Sequence, residues 1–182
     1  MNNKLNFRDF DLAFIDCEMT GLNFEHELIE IAVMRVSAFN FAVLDEWSVK
    51  IKPQHLENAN PESLKITGYN DDGWKDALDE ETALKIFLEK TDKTILVGQN
   101  ISNDLLFIYK ALAAHNLQPT FWYKSIDIFT LAWQKLRNNQ DIRGLGLTEL
   151  MGYFGLTREN AHSALADAKA AYEVFLKLNE EK

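Results

Sequence analysis

The stretch FIDCEMTGL, residues 14–22, decides how this chain is read. The apolar run LAFI (12–15) leads into it, strand-like and ending in acidic residues. Side chains two apart on a strand project from the same face. Asp16 and Glu18 therefore present both carboxylates together at the strand's end, while Cys17 turns to the opposite, core side. Two carboxylates held close repel unless a proton or cation sits between them, and a hard cation such as Mg²⁺ prefers such oxygen ligands. Taken alone, the pair reads more simply as two solvated acids at an exposed strand end, which is common in acidic chains.

Outward from this stretch the elements fall into an order. LIEIAVMRV (28–36) is rich in β-branched residues and is interrupted by polar Glu30 and Arg35. FAVLDEWSVKIK (41–52) reads as its partner strand, paired antiparallel through the short stretch 37–40. Pro53 and Pro61 bracket a polar connection, and apolar residues recur at helical spacing from Asp76 to Lys90. TILVGQN (94–100) is a compact buried strand ending at Gly98, and Asn103–Ala114 reads as a helix with Ser102 or Asn103 as its cap. SIDIF (125–129) leads into a helix through Leu136, Leu147–Phe154 is a helix stopped at Gly155, and Ser163–Leu178 is Ala-rich and amphipathic. Three strands first, then helices alternating with two short strands, predict an α/β fold with a five-stranded mixed sheet flanked by helices. With no repeat, low-complexity tract or long linker in its 182 residues, the chain is expected to be one domain, 1–182.

Two further positions carry chemistry. In VGQNISNDLLFIYKAL (97–112), a buried strand followed by a helix start places Asp104 in a first helical turn at the sheet's end. The helix macrodipole favours a carboxylate there for purely structural reasons. In AHSALADAKAAYEVFL (161–176), His162 and Asp167 do not share a helical face. If Ser163 caps the helix, His162 lies in the incoming loop and Asp167 in the first turn. Alone, His162 is an ordinary histidine before an ordinary helix.

Composition sets the outer bounds. Nineteen Lys+Arg against 28 Asp+Glu give a net charge of −9, and 47% of residues are hydrophobic, which argues against disorder. A single cysteine, Cys17, excludes an internal disulfide and fits a reducing, cytoplasmic setting. No stretch is a long apolar run, so neither membrane insertion nor secretion is expected. The charge is uneven: residues 1–92 carry −10, residues 93–143 carry +3 and residues 144–182 carry −2. The positive middle also holds Phe121, Trp122, Tyr123 and Trp133, rings on which bases stack while cations track a backbone, although such rings are more often core.

The combination is more specific than its parts. A D-x-E at a first strand, an Asp opening a helix and H-x-x-x-x-D opening the last helix resemble the DEDDh group of 3′→5′ exonucleases, which includes proofreading exonucleases, ribonuclease T and oligoribonuclease. The match runs from Leu12 to Leu178. The resemblance implies a ribonuclease H-like fold and two divalent cations, Mg²⁺ or Mn²⁺, held by Asp16, Glu18, Asp104 and Asp167. It makes His162 the general base. It lays Met19, Thr20, Gly21 and Leu22 against the 3′-terminal nucleotide, and sets Asn100 and Phe107 in the substrate cleft. Asp127 matches a further acidic position near the site, or caps the following helix. The implied partners are single-stranded DNA or RNA 3′ ends, with a homodimer or a DNA polymerase as protein partner.

Within the group the signals divide. DCEMTGL and FWYKSIDIFTL (121–131) are similar to oligoribonuclease. LKITGYNDD (64–72) and LGLTELMGYFGLTRENAHSALADAKAAYEVFLKL (145–178) resemble the proofreading type, and Ala166 stands where oligoribonuclease usually has a second Asp. The expected activity is that of a stand-alone proofreading-type exonuclease. Its alternatives are an oligoribonuclease-like enzyme for very short RNAs, a phosphoesterase acting on small nucleotides, and a non-catalytic polymerase-associated module.

Overall fold

Alternation along the first strand organises the molecule. The computed structural model describes residues 6–157 and 163–180. Strand β1 (Asp11–Met19) sends Ala13, Ile15, Cys17 and Met19 to one side of the sheet and Leu12 and Phe14 to the other. Both faces are therefore covered. Helices α2 (Glu80–Lys90) and α3 (Ser102–Ala114) pack on the first. Helices α4 (Ile128–Leu136), α5 (Leu147–Phe154) and α6 (Ala164–Asn179) pack on the second. A short helix α1 (Pro61–Thr67) touches β1.

The sheet has five strands in the order β3-β2-β1-β4-β5, with β2 (Leu28–Val36), β3 (Val43–Lys50), β4 (Thr94–Gly98) and β5 (Ser125–Asp127). Strands β1, β2 and β3 pair antiparallel with one another, β4 joins β1 in parallel and β5 joins β4 in parallel, so the sheet is mixed as expected. Pairing of β1 with β4 covers only Asp11–Phe14, whereas pairing with β2 continues to Met19. The far half of β1 thus has an edge that β4 does not cover. That edge and the residues around it form the candidate site.

Several boundaries differ from the sequence expectation for identifiable reasons. Strand β1 extends through Asp16 and Glu18, because β2 supplies ladder partners all the way along. Helix α2 begins at Glu80, where the Asp79 side chain accepts the Thr82 N–H at 2.9 Å and so sets the start. Helix α3 has Ile101 at its cap position, with no side-chain cap from Ser102 or Asn103. Helix α1 lies in what reads as plain connection, although its ends are marked by Asn60 as N-cap, Pro61 in the first turn and Gly68 in the left-handed conformation. The expected caps of α4 by Asp127 and of α6 by Ser163 are present, as is the Gly155 stop of α5. No helix among the described residues is long and apolar enough to cross a membrane.

Candidate active site

Asp16 and Glu18 lie on the β1 face that α6 covers. Three alanines let that helix approach closely: Ala164 and Ala168, one turn apart, meet Ala32 of β2 and are fully buried with it. The first turn of α6 is fixed by the Ser163 hydroxyl, which accepts the Ala166 N–H, and by the Asp167 N–H, which donates to the Ser163 carbonyl. Asp167 is thereby delivered to the two strand acids. Oxygens of Asp16, Glu18 and Asp167 all lie within 4.8 Å of one another.

Asp104 arrives from the opposite layer. It is buried in the first turn of α3, and its Oδ1 accepts the Cys17 N–H at 2.9 Å on the uncovered edge of β1. It does not join the tight three-acid group among the described residues, but its charge is the strongest of those acting on Asp16. Burial above all, and then Asp104, Asp167, Glu18 and Glu30, hold the Asp16 carboxyl well above the usual carboxylate range. Burial likewise pushes Asp104 up to about 7, against the opposing pull of the Cys17 N–H.

A fifth acid belongs to this end of the sheet and is not singled out by sequence. Glu30 faces Glu18 across β1 and β2, and Lys50 across β2 and β3. It is buried, close enough to the start of α6 for the Ala164 amide to act on its carboxylate. Burial raises its pKa, while Lys50 and the Ala164 amide oppose the rise. Its one sequence signal is an acid interrupting the apolar strand LIEIAVMRV. Its partner lies 134 residues further along, which no local pattern reveals.

The stretch after β1 is a built loop. Thr20 N–H donates to the Glu27 carbonyl, and Glu27 N–H donates to Thr20 Oγ1. His26 Nδ1 accepts the Asn23 N–H, and its buried imidazole lies where a Cβ on Gly21 would approach to 2.4 Å. Lys110 of α3 donates to the carbonyls of Phe24 and His26. Met19 and Thr20 are buried in this arrangement, and Leu22 projects from it at 70% exposure. Of the four residues expected along the substrate, Leu22 is the one whose side chain is open to solvent.

The remaining expected positions are placed as follows. Asn100 has a positive φ of 55° in the β4–α3 connection, and its N–H donates to Asp127 Oδ1. Asp127 also accepts the Phe129 N–H, capping α4 and tying that helix to the connection. Phe107 is buried in the core under α3 and borders a groove between α3 and residues 24–28. His162 lies outside the described residues.

Comparison with known proteins accords with this geometry. A family model described as "Exonuclease" matches residues 13–175. This chain belongs to that exonuclease family. It is 30% identical over 171 residues to a DNA polymerase III PolC-type of Caldanaerobacter subterraneus subsp. tengcongensis, covering 93% of the chain and 12% of that protein. It therefore spans about an eighth of the PolC-type relatives that it matches. An oligoribonuclease of Sodalis glossinidius is 30% identical, with 93% of this chain and 98% of that one covered. A ribonuclease T of Shewanella denitrificans is 31% identical, with 96% and 83% covered.

Among solved structures, E. coli exonuclease I with a dT13 oligonucleotide superposes with a TM-score of 0.78 at 21% identity, covering 92% of this chain and 41% of that one. The nuclease domain of 3′hExo, a DEDDh family member bound to rAMP, gives 0.76 at 18% identity, covering 92% and 90%. The chain thus has the ribonuclease H-like fold expected from its sequence. The four acids expected from the sequence lie at one end of β1, drawn from the sheet and from a helix on each of its faces.

Proposed function

We propose that the protein is a metal-dependent 3′→5′ exonuclease that releases nucleoside 5′-monophosphates from single-stranded DNA or RNA ends. The observation that carries this reading is the convergence of Asp16, Glu18 and Asp167 oxygens within 4.8 Å, on half-buried side chains. Five carboxyl groups at one sheet end, with Asp16 and Asp104 raised by burial, form a site whose negative charge calls for cations. An all-oxygen donor set suits Mg²⁺ or Mn²⁺. The residues present fit that cofactor: Asp16, Glu18 and Asp167 would hold one ion, and Asp16 with Asp104 a second. Bound there, two divalent cations supply an activated water and neutralise charge on the phosphoryl and leaving oxygens.

The chain's own groups do the rest. His162, immediately before the Ser163 cap, takes the proton of the attacking water as a neutral imidazole near neutral pH. Leu22 and the loop from Met19 to Gly21 bear on the terminal nucleotide, and Asn100 borders the same end of the sheet. Asp127 acts by holding the α4 cap and the Asn100 amide together.

Single-stranded DNA and RNA 12-mers carrying a 5′ label test the reading. Incubation with Mg²⁺ or Mn²⁺ yields a ladder shortening from the 3′ end, and EDTA abolishes it. Release of the label as the first product, or a ladder that persists in EDTA, contradicts the proposal. Cleavage confined to dinucleotides assigns the site to the oligoribonuclease-like activity instead.

A further inference from the structure

We propose that the outer face of α4 is a binding track for the single strand upstream of the cleaved nucleotide. Phe129 and Trp133 serve as base-stacking platforms, and Arg137 as a phosphate contact. The proposal rests on the exonuclease reading above and names where its substrate continues.

Helix α4 divides its residues cleanly. Ile128, Ala132 and Leu136 recur every fourth position and are buried against the sheet and α6. One residue on, Phe129, Trp133 and Arg137 recur with the same period on the solvent side, the two rings 44% and 53% exposed. Since the inner stripe already supplies the core contacts, the outer rings are not accounted for by packing. At 1.5 Å per residue, the two rings stand about 6 Å apart along the axis, so each offers a separate face to a base.

Charge selects the occupant. The Arg137 guanidinium lies 5.3 Å from the centroid of the Trp133 ring, joining a cation to a stacking surface. Although the chain has 28 acidic residues, none falls between Asp127 and Asp141. A polyanion with flat bases complements this face. A second copy would bring the same cations and another net charge of −9 against it.

Position links the face to the site. Helix α4 starts at the C-terminal end of β5, which runs parallel to β4, whose own C-terminal end leads to Asp104. The Asp127 carboxylate bridges the two, accepting N–H groups from both Phe129 and Asn100 at 3.0 Å. Phe129 is therefore at the catalytic end, with Trp133 and Arg137 successively further away.

Fluorescence anisotropy of fluorescein-labelled dT12 in EDTA reads this track without hydrolysis. Trp133→Ala weakens dT12 binding about tenfold, within the range for loss of one stacked base, and Trp133→Phe restores most of it. Arg137→Gln lowers the slope of log K against log salt by about 0.7, as for one lost phosphate contact on a single strand. Both side chains are exposed, so neither change opens the core. Equal dT12 affinity in wild type and Trp133→Ala overturns the track. So does a wild-type dimer in sedimentation that Trp133→Ala dissociates, since the face then belongs to a second copy. Trp133-dependent dT12 binding without any Mg²⁺-dependent ladder leaves the track standing and removes the exonuclease reading.

Discussion

Two regions that begin at the same end of the sheet have opposite chemistry. Around Asp16, the fold packs Glu18, Glu30, Asp104 and Asp167 together, and burial raises the carboxyl pKa of Asp16, Asp104 and Glu30. Along α4, it sets two exposed rings beside an arginine with no acid nearby in sequence. The first region gathers buried negative charge and is the proposed cation site, whereas the second presents exposed rings and a cation and is the proposed anion-binding face. A net charge of −9 averages over the two and describes neither. An acidic balance is therefore compatible with a nucleic-acid substrate when the acids are gathered where metal binds.

Removing the central acid breaks this contrast most severely. Asp16→Asn keeps the shape of the site but deletes the carboxylate that feels all four others, and exonuclease activity should fall on the order of 10³-fold, as when a key transition-state electrostatic group is lost. Rates on a single-stranded 12-mer at saturating Mn²⁺ measure this, and a loss under tenfold refutes the central role.

Glu30 tests whether the acid end is held from behind. Glu30→Ala removes the buried carboxylate beside the Ala164 amide, at the α6 turn that carries Asp167, so Mn²⁺ affinity should fall about 10–100-fold, the usual cost of a group supporting a metal ligand. Glu30→Gln keeps the size and the polar oxygen of the side chain and should lose far less. Equal Mn²⁺ affinity in Glu30→Ala and wild type, by calorimetric titration, shows that α6 holds its place without it.

The metal-free protein should show the cost of the acid end as a pH dependence. Asp104 is raised to about 7 from its ordinary 3.8, so between those values the folded state holds a proton that the unfolded state has released. Its contribution to stability is present below that window and is lost as pH rises through it. Asp104→Asn keeps the bond from Cys17 N–H without the charge. In EDTA it should melt higher than wild type at pH 8, with the difference closing toward pH 4. A difference independent of pH contradicts the assignment.

The smallest effect concerns the substrate loop. Gly21→Ala forces a methyl group against the His26 ring, 2.4 Å away, and should cost about 1–3 kcal/mol by overpacking. Urea unfolding measures it, and a neutral result means that the ring yields freely.

What the sequence makes legible follows from which forces are local. Short β-branched and apolar runs locate β2 and β4, buried on both faces, and helical-period apolar stripes locate α5 and α6, because burial sets both the pattern and the element. Asp16, Glu18, Asp104 and Asp167 are legible as a set through their order along the chain. Helix α1 is not, since it buries none of its residues and has no apolar stripe to betray it. Nor is Glu30, whose meaning depends on strand register and on an amide of α6. The bridge made by Asp127 is half legible: its cap is local, but its bond to Asn100 crosses 27 positions.

The central claim is that Asp16, Glu18 and Asp167 form a metal centre, and anomalous scattering from a crystal of this chain soaked in Mn²⁺ tests it most directly. The account predicts a Mn²⁺ peak bounded by oxygens of those three carboxylates, which already lie within 4.8 Å of one another. Absence of any peak between them at saturating Mn²⁺, with the three side chains ordered, would contradict it.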